Sequence, residues 1–171
     1  MKSARGFTLI ELLIVVAIIG IVAAIASASV MRARSVANET SSIAGLRSIV
    51  SAQTEYSAVC GNGGYADLLP TLAVPPPGGG LGFLSPDLTS APVVTKSGFD
   101  TTMAAGAGAV VLAPDCNGTQ TVTSYIATAT PVTFGTSGNR SFATTPAGTI
   151  WQLFSAVPPV EPFAAPASPV Q

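Results

Sequence analysis

Few side chains in this sequence could do chemistry, and they can be weighed by type and spacing. Glu11 stands at the edge of an uncharged run from Leu12 to Met31. An ionised carboxylate held centrally in a bilayer costs a few kcal/mol, so one placed there needs a partner or a task. Cys60 and Cys116 are the two cysteines. In an exported domain such a pair reads as a disulfide closing a loop of about 55 residues, and otherwise as two free thiols. Their spacing and the absence of histidine argue against zinc. Without histidine the Ser-His-Asp and Cys-His nucleophile arrangements are also missing. Asp67, Asp87, Asp100 and Asp115 are scattered, and Gly78-Gly79-Gly80 lacks the lysine and helix start of a phosphate loop. The expectation is a protein that is not an enzyme and has no cofactor, nucleotide or metal site.

The elements that would position Glu11 and the cysteines follow from hydropathy and breakers. Twenty uncharged residues at about 1.5 Å each make a helix of roughly 30 Å, long enough to cross a hydrocarbon core. From Arg32 to Ser57 there is no proline and one glycine, Gly45, so the helix is expected to continue. Val36, Ile43, Leu46 and Val50 recur at helical spacing, and Ile49, Gln53 and Tyr56 extend a neighbouring face. Arg34, Glu39, Arg47 and Glu55 fall at wetter positions, and the stripe reads as a helix packed on its own sheet. Gly20 is the intrinsic weak point of the first half.

Cys60-Gly61-Asn62-Gly63-Gly64 reads as a helix stop, because glycine and asparagine tolerate positive φ. Tyr65 to Leu72 suggests one helical turn. Pro75 to Gly80 is a loop, and Leu81 to Leu88 suggests another turn ending near Pro86. A first strand is expected within Val93 to Met103, centred on Ser97 to Thr102. Val110-Val111-Leu112 reads as a short edge piece, and Asn117-Gly118 as a turn. Thr121 to Thr130 is a stronger strand. Arg140 to Thr145 and Thr149 to Phe154 are short ones, separated from what precedes by a turn over Gly135 to Asn139. Phe99, Tyr125, Ile126, Phe142, Ile150 and Trp151 are the candidate core or sheet-face residues. From Pro158 five prolines in fourteen residues read as a mobile tail.

Gly6-Phe7-Thr8-Leu9-Ile10-Glu11 resembles the processing and methylation signature of type IV prepilins and type II secretion pseudopilins. The likeness covers about the first thirty residues closely. It implies cleavage after Gly6 by a membrane-embedded peptidase, N-methylation of the new terminus at Phe7, and a docking role for Glu11. It implies an α+β fold, a long N-terminal helix packed on a small C-terminal antiparallel sheet. Ser97-Gly98-Phe99, Tyr125 to Pro131, Gly138 to Phe142 and Gly148 to Ile150 resemble a pilin-like head more loosely. The corresponding division is a leader over 1–6, a transmembrane and filament-core helix over 7–31, an amphipathic half over 32–58, a head over 59–157 and a Pro-rich tail over 158–171. Many relatives carry a proline in the membrane helix, and this sequence has none there. Some secretion pseudopilins bind calcium, but Asp87, Asp100 and Asp115 lack its ligand spacing.

The functional expectation is a structural subunit of a type IV pilus-like filament serving adhesion, motility or DNA uptake. The alternatives are a secretion pseudopilin and a membrane-anchored extracellular binding module that does not polymerise. Implied partners are identical or related subunits, the prepilin peptidase and methyltransferase, an inner-membrane assembly platform, and membrane lipid before assembly. The implied location is the bacterial inner membrane first, then an extracellular pilus or a periplasmic pseudopilus. With Lys2 and Arg5 removed, five basic and eight acidic side chains remain. That balance gives no footprint for direct nucleic-acid binding. Electron conduction is disfavoured, since the long helix offers only Phe7 and Tyr56 as aromatics.

Two plainer readings of the N-terminus compete. Lys2 and Arg5, the apolar run and Ala26-Ser27-Ala28 resemble a secretory signal peptide, but Glu11 interrupts the apolar segment. A simple anchor has weak orientation signals, with Lys2 and Arg5 on one side and Arg32 and Arg34 on the other.

Overall fold

The computed structural model describes residues 6–170, with the side chains of Ser27 and Ala28 also left aside. Most of the expected leader, including Lys2 and Arg5, therefore lies outside the described residues, as does the side-chain detail of the Ala26-Ser27-Ala28 sequence. The chain divides into two compact units, one to Arg34 and one from Ser35.

Helix α1 runs over Leu9–Val59. No proline interrupts it, and Gly20 and Gly45 together cost only about 2 kcal/mol of helix propensity. In the first unit its large apolar side chains are exposed throughout. It ends at the expected glycine-rich stop. Asn62 and Gly63 take positive φ, and the Cys60 and Gly61 amides both donate to the Tyr56 carbonyl.

The second unit is a six-stranded antiparallel meander packed with the C-terminal part of α1, an α+β arrangement. Its strands are β1 (Val93–Lys96), β2 (Phe99–Ala105), β3 (Tyr125–Pro131), β4 (Ser141–Thr144), β5 (Ile150–Leu153) and β6 (Ser168–Pro169). A 3-10 turn at Leu69–Ala73 supplies the turn expected after Tyr65. The second short helix, α2 (Pro86–Thr89), starts at Pro86 instead of ending there. Proline suits the first helical turn, where its missing N–H is not needed.

Two strand expectations are corrected. Ser97-Gly98 is the turn of a hairpin and not the middle of a strand. Both residues have positive φ, and Lys96 pairs with Phe99 across them. Such two-residue turns match the twist of the flanking strands. Val111 makes only an isolated bridge to Val122, so that piece adds no strand to the sheet. The Pro-rich tail is not free either. Ser168–Pro169 pairs with Trp151 and Gln152, and Phe163 stacks on Trp151 at 5.2 Å.

The core joins Leu46, Ile49 and Tyr56 of α1 to Phe99, Met103, Tyr125, Phe142 and Ile150 of the sheet. Ile126 and Trp151 are half-buried. The buried helical face is shifted from the expected stripe: Val36 is 59% exposed, whereas Ser35, Glu39 and Ser42 are buried. Glu39, expected to be wet, is only 4% exposed. Its Oε1 accepts from the Asn139 amide at 2.7 Å, and its Oε2 accepts from Arg140 Nη2 at 2.6 Å and Nε at 2.9 Å. The guanidinium also donates to Gln152 and lies over the Phe142 and Phe154 rings. Buried Gln53 clamps Ala66, donating to its carbonyl at 2.7 Å and accepting from its amide at 3.0 Å. This ties the chain after the helix stop back onto α1.

Cys60 and Cys116 form a disulfide with Cα atoms 4.8 Å apart. It anchors the end of α1 to a loop that Asp115 organises. Asp115 Oδ1 accepts from the Asn117 and Thr119 amides, and Oδ2 accepts from Tyr56 Oη at 2.8 Å. Replacing both cysteines by serine is expected to cost about 4 kcal/mol by chain entropy and to lower Tm by roughly 10 °C. A far-UV circular dichroism melt of the detergent-solubilised chain measures it, and an unchanged Tm would contradict the expectation.

Burial pushes the Tyr56 and Tyr125 phenols well above their ordinary value of 10.0, and for Tyr56 the hydrogen bond and charge of Asp115 add to the effect. The folded state therefore holds these protons more tightly than the unfolded chain. The resulting stability is whole below the ordinary value and is lost as pH rises above it. In an ultraviolet titration these two phenols are expected to ionise only together with loss of circular dichroism. Full ionisation near the ordinary value with the fold intact would contradict this.

Candidate functional site

Gly6, Phe7 and Thr8 precede the first turn of α1 in non-helical conformation. The bond between Gly6 and Phe7 therefore lies outside the helix. An added Cβ at Gly6 would meet no other atom within 4 Å, and Phe7 is 77% exposed. The junction is thus exposed and outside regular secondary structure.

Glu11 occupies the first turn of α1, close to that junction. Its Oε2 accepts from the Thr8 amide at 3.0 Å and from Thr8 Oγ1 at 2.8 Å. In return the Glu11 amide donates to Thr8 Oγ1 at 3.3 Å. This is a capping box, which satisfies donors that the start of a helix leaves without partners. The pattern Thr8-x-x-Glu11 before an apolar run is its sequence signal, and the docking role expected of Glu11 does not include it. Both bonds from Thr8 reach the same carboxylate oxygen, Oε2. Carboxylate oxygens have more than one lone pair, so the capping geometry leaves acceptor capacity on Glu11.

Helix α1 is long and apolar enough to cross a membrane, with a mean hydropathy of 3.0 over its most apolar 18 residues. Leu9, Leu12, Leu13 and Val16 form one continuous apolar face. An added Cβ at Gly20 would meet nothing within 4 Å, so the helix is open there too. Such a surface can be solvated by lipid or covered by similar helices.

The other expected site residues lie apart from this segment. Cys60 and Cys116 are consumed in their disulfide. Asp87 accepts from Lys96, and this hydrogen bond holds its carboxyl below the ordinary range. Asp100 accepts from Thr95, and Asp115 serves its own loop. Among the described residues no group of three histidine, cysteine, aspartate or glutamate side chains is placed to hold a metal.

Residues 1–27 match the family described as the prokaryotic N-terminal methylation motif. The type IV wide pilus major component PilA4 of Thermus thermophilus is 50% identical to this chain over 56 residues. That stretch is 33% of this chain and spans 43% of the relative's length. No solved structure shows a significant match to the chain.

Proposed function

We propose that the chain, whose residues 1–27 match the prokaryotic N-terminal methylation motif and which is similar over 56 residues to a type IV pilus component, is a structural subunit of a type IV pilus-like filament. It is cut after Gly6, N-methylated at Phe7, and assembles with identical or related subunits through the apolar part of α1. The observation that carries this reading is the juxtaposition of three features. They are an exposed Gly6–Phe7 junction, one carboxylate two residues inside the start of the helix, and an uncovered uncharged helix beyond it.

Each feature has a physical use in this role. Cleavage before Phe7 creates an amine near the membrane face. Before assembly the helix anchors the chain in lipid. In the filament, Glu11 of one subunit pairs with the Phe7 amine of another, which offsets part of its desolvation and sets axial register. The apolar side chains supply most of the cohesion, at about 25 cal/mol per Å² buried. The head covers the outside of the helical bundle. A pilus role is preferred because the similar protein is named as a major pilus component.

The test combines mass spectrometry of the native N-terminus with electron microscopy of sheared surface material. A chain beginning at methylated Phe7 and recovered in filaments is the expected result. An uncut N-terminus in a chain that forms no filament would overturn the proposal and leave a monomeric anchored module.

A further inference from the structure

The Pro-rich segment after β5 returns to the sheet as its sixth strand. It is fastened at several points before it does so. The Val157 carbonyl accepts from Ser141 Oγ at 2.7 Å, Pro159 is buried, and Glu161 Oε2 accepts from the Ala107 amide at 2.7 Å. The Phe163 ring stacks on Trp151.

Strand β6 then lies along β5 in a defined register, with Gln152 opposite Ser168 and Trp151 opposite Pro169. The Val170 amide donates to the Ile150 carbonyl at 2.8 Å, which continues that register by one residue. In antiparallel pairing, opposed residues alternate between exchanging hydrogen bonds and pointing their main-chain groups away from each other. Residue 170 bonds inward to β5, so residue 169 faces outward. There the sequence places a proline, which has no N–H to donate. The segment therefore pairs along Gln152, satisfies the Ile150 carbonyl, and presents no outward donor at Pro169. The opposite edge, β1, follows Pro92 and ends in Lys96, a charge of the kind that discourages strand pairing.

We propose that Ser168–Pro169 is a sheet-edge cap that prevents β5 of one copy of this chain from pairing with a strand edge of another. An open strand edge on one copy of a chain is a template for pairing with the edge of another. A two-residue edge strand with proline at its outward position stops that pairing by offering no N–H there. The proposal concerns the head alone and does not depend on cleavage after Gly6 or on polymerisation.

The test uses the uncleaved chain in detergent micelles, compared with two variants by sedimentation equilibrium and infrared amide I spectra. A chain ending at Ala164 keeps Pro159, Glu161 and Phe163 and loses β6. It is expected to self-associate roughly tenfold more strongly, the scale of about one net backbone hydrogen bond, with a gain in extended-strand signal. Pro169→Thr restores the outward donor on an exposed position and is expected to shift association in the same direction by a smaller factor. If both variants keep the parent near-UV circular dichroism and sediment as the parent does, the edge-cap role is wrong. If the shortened chain loses its near-UV signal, Pro169→Thr decides alone: parent-like sedimentation refutes the proposal and stronger association supports it. Filaments that fail to form in the N-terminal test leave this result untouched.

Discussion

A chain carrying Glu11→Gln is expected to be cut after Gly6 at close to the parent rate and to yield few or no filaments. Glutamine keeps the acceptor that the capping box uses, since the motif accepts glutamate or glutamine at this position. The start of α1 should therefore survive, with Thr8 still bonded to residue 11. What the substitution removes is the charge. Without it the Phe7 amine of a neighbouring subunit has no counter-ion, and the apolar helices can slide past one another with little change in buried area. Close charge pairs at interfaces couple by about 1.5–7 kcal/mol, and about 1.4 kcal/mol per subunit is already a tenfold loss in association. Glu11→Ala should behave in the same way. Thr8→Ala supplies the contrast, because it removes the cap at a cost of about 1 kcal/mol while keeping the carboxylate. It is expected to assemble. Filament yield by electron microscopy, alongside the gel mobility of the processed chain, separates these outcomes. Normal filaments from Glu11→Gln would sink the pairing idea, and loss of filaments from Thr8→Ala would move the role of Glu11 from charge to helix capping.

The parts of this protein that were legible in its sequence are those decided by local chemistry. A continuous α1 follows from the absence of proline over Leu9–Val59. Its end follows from residues that tolerate positive φ at Asn62 and Gly63. Of the strand expected over Thr121 to Thr130, Tyr125 onward forms β3, while Thr121–Ser124 lie outside it, with Val122 in isolated bridges to Tyr65 and Val111. The disulfide needed only an oxidising destination and two cysteines. The misreadings came where tertiary contacts outvote local pattern. Val36 continues an apolar stripe by spacing, but the head offers it no cover. Glu39 looks like a surface residue until Arg140, 101 positions away, is brought to it. The Ser97-Gly98 turn was legible in principle, since glycine beside a small polar residue is a hairpin signal, but the flanking apolar residues drew the strand across it. For the tail, composition is the only sequence signal. Proline density argues against a central strand and says nothing against a docked edge. At the candidate site the apolar run and its carboxylate are plain in the sequence, and Thr8-x-x-Glu11 carries the signal of the capping box.

Arg140→Ala should lower the stability of the head by about 3 kcal/mol. The substitution leaves Glu39 buried with the Asn139 amide as its remaining donor in the cluster. It also removes the cation lying over Phe142 and Phe154 and frees Gln152 Oε1. The Arg140 side chain is 26% exposed, so water can enter the vacated space, which is why the expected loss sits at the low end for a broken buried pair. A double substitution tests the reasoning from the other side. Glu39→Leu with Arg140→Met replaces the pair by apolar groups and leaves no charge uncompensated. Its stability is expected to fall within about 1 kcal/mol of the parent, even though either side of the pair is costly to lose alone. Chemical denaturation of the parent, Arg140→Ala and the double variant in one detergent compares them. A loss under about 1 kcal/mol for Arg140→Ala would mean that the contact behaves as an ordinary surface ion pair. A double variant as unstable as Arg140→Ala would place the energy in the geometry of the 139–140 turn, since the Asn139 amide bond to Glu39 is kept in Arg140→Ala and lost in the double variant.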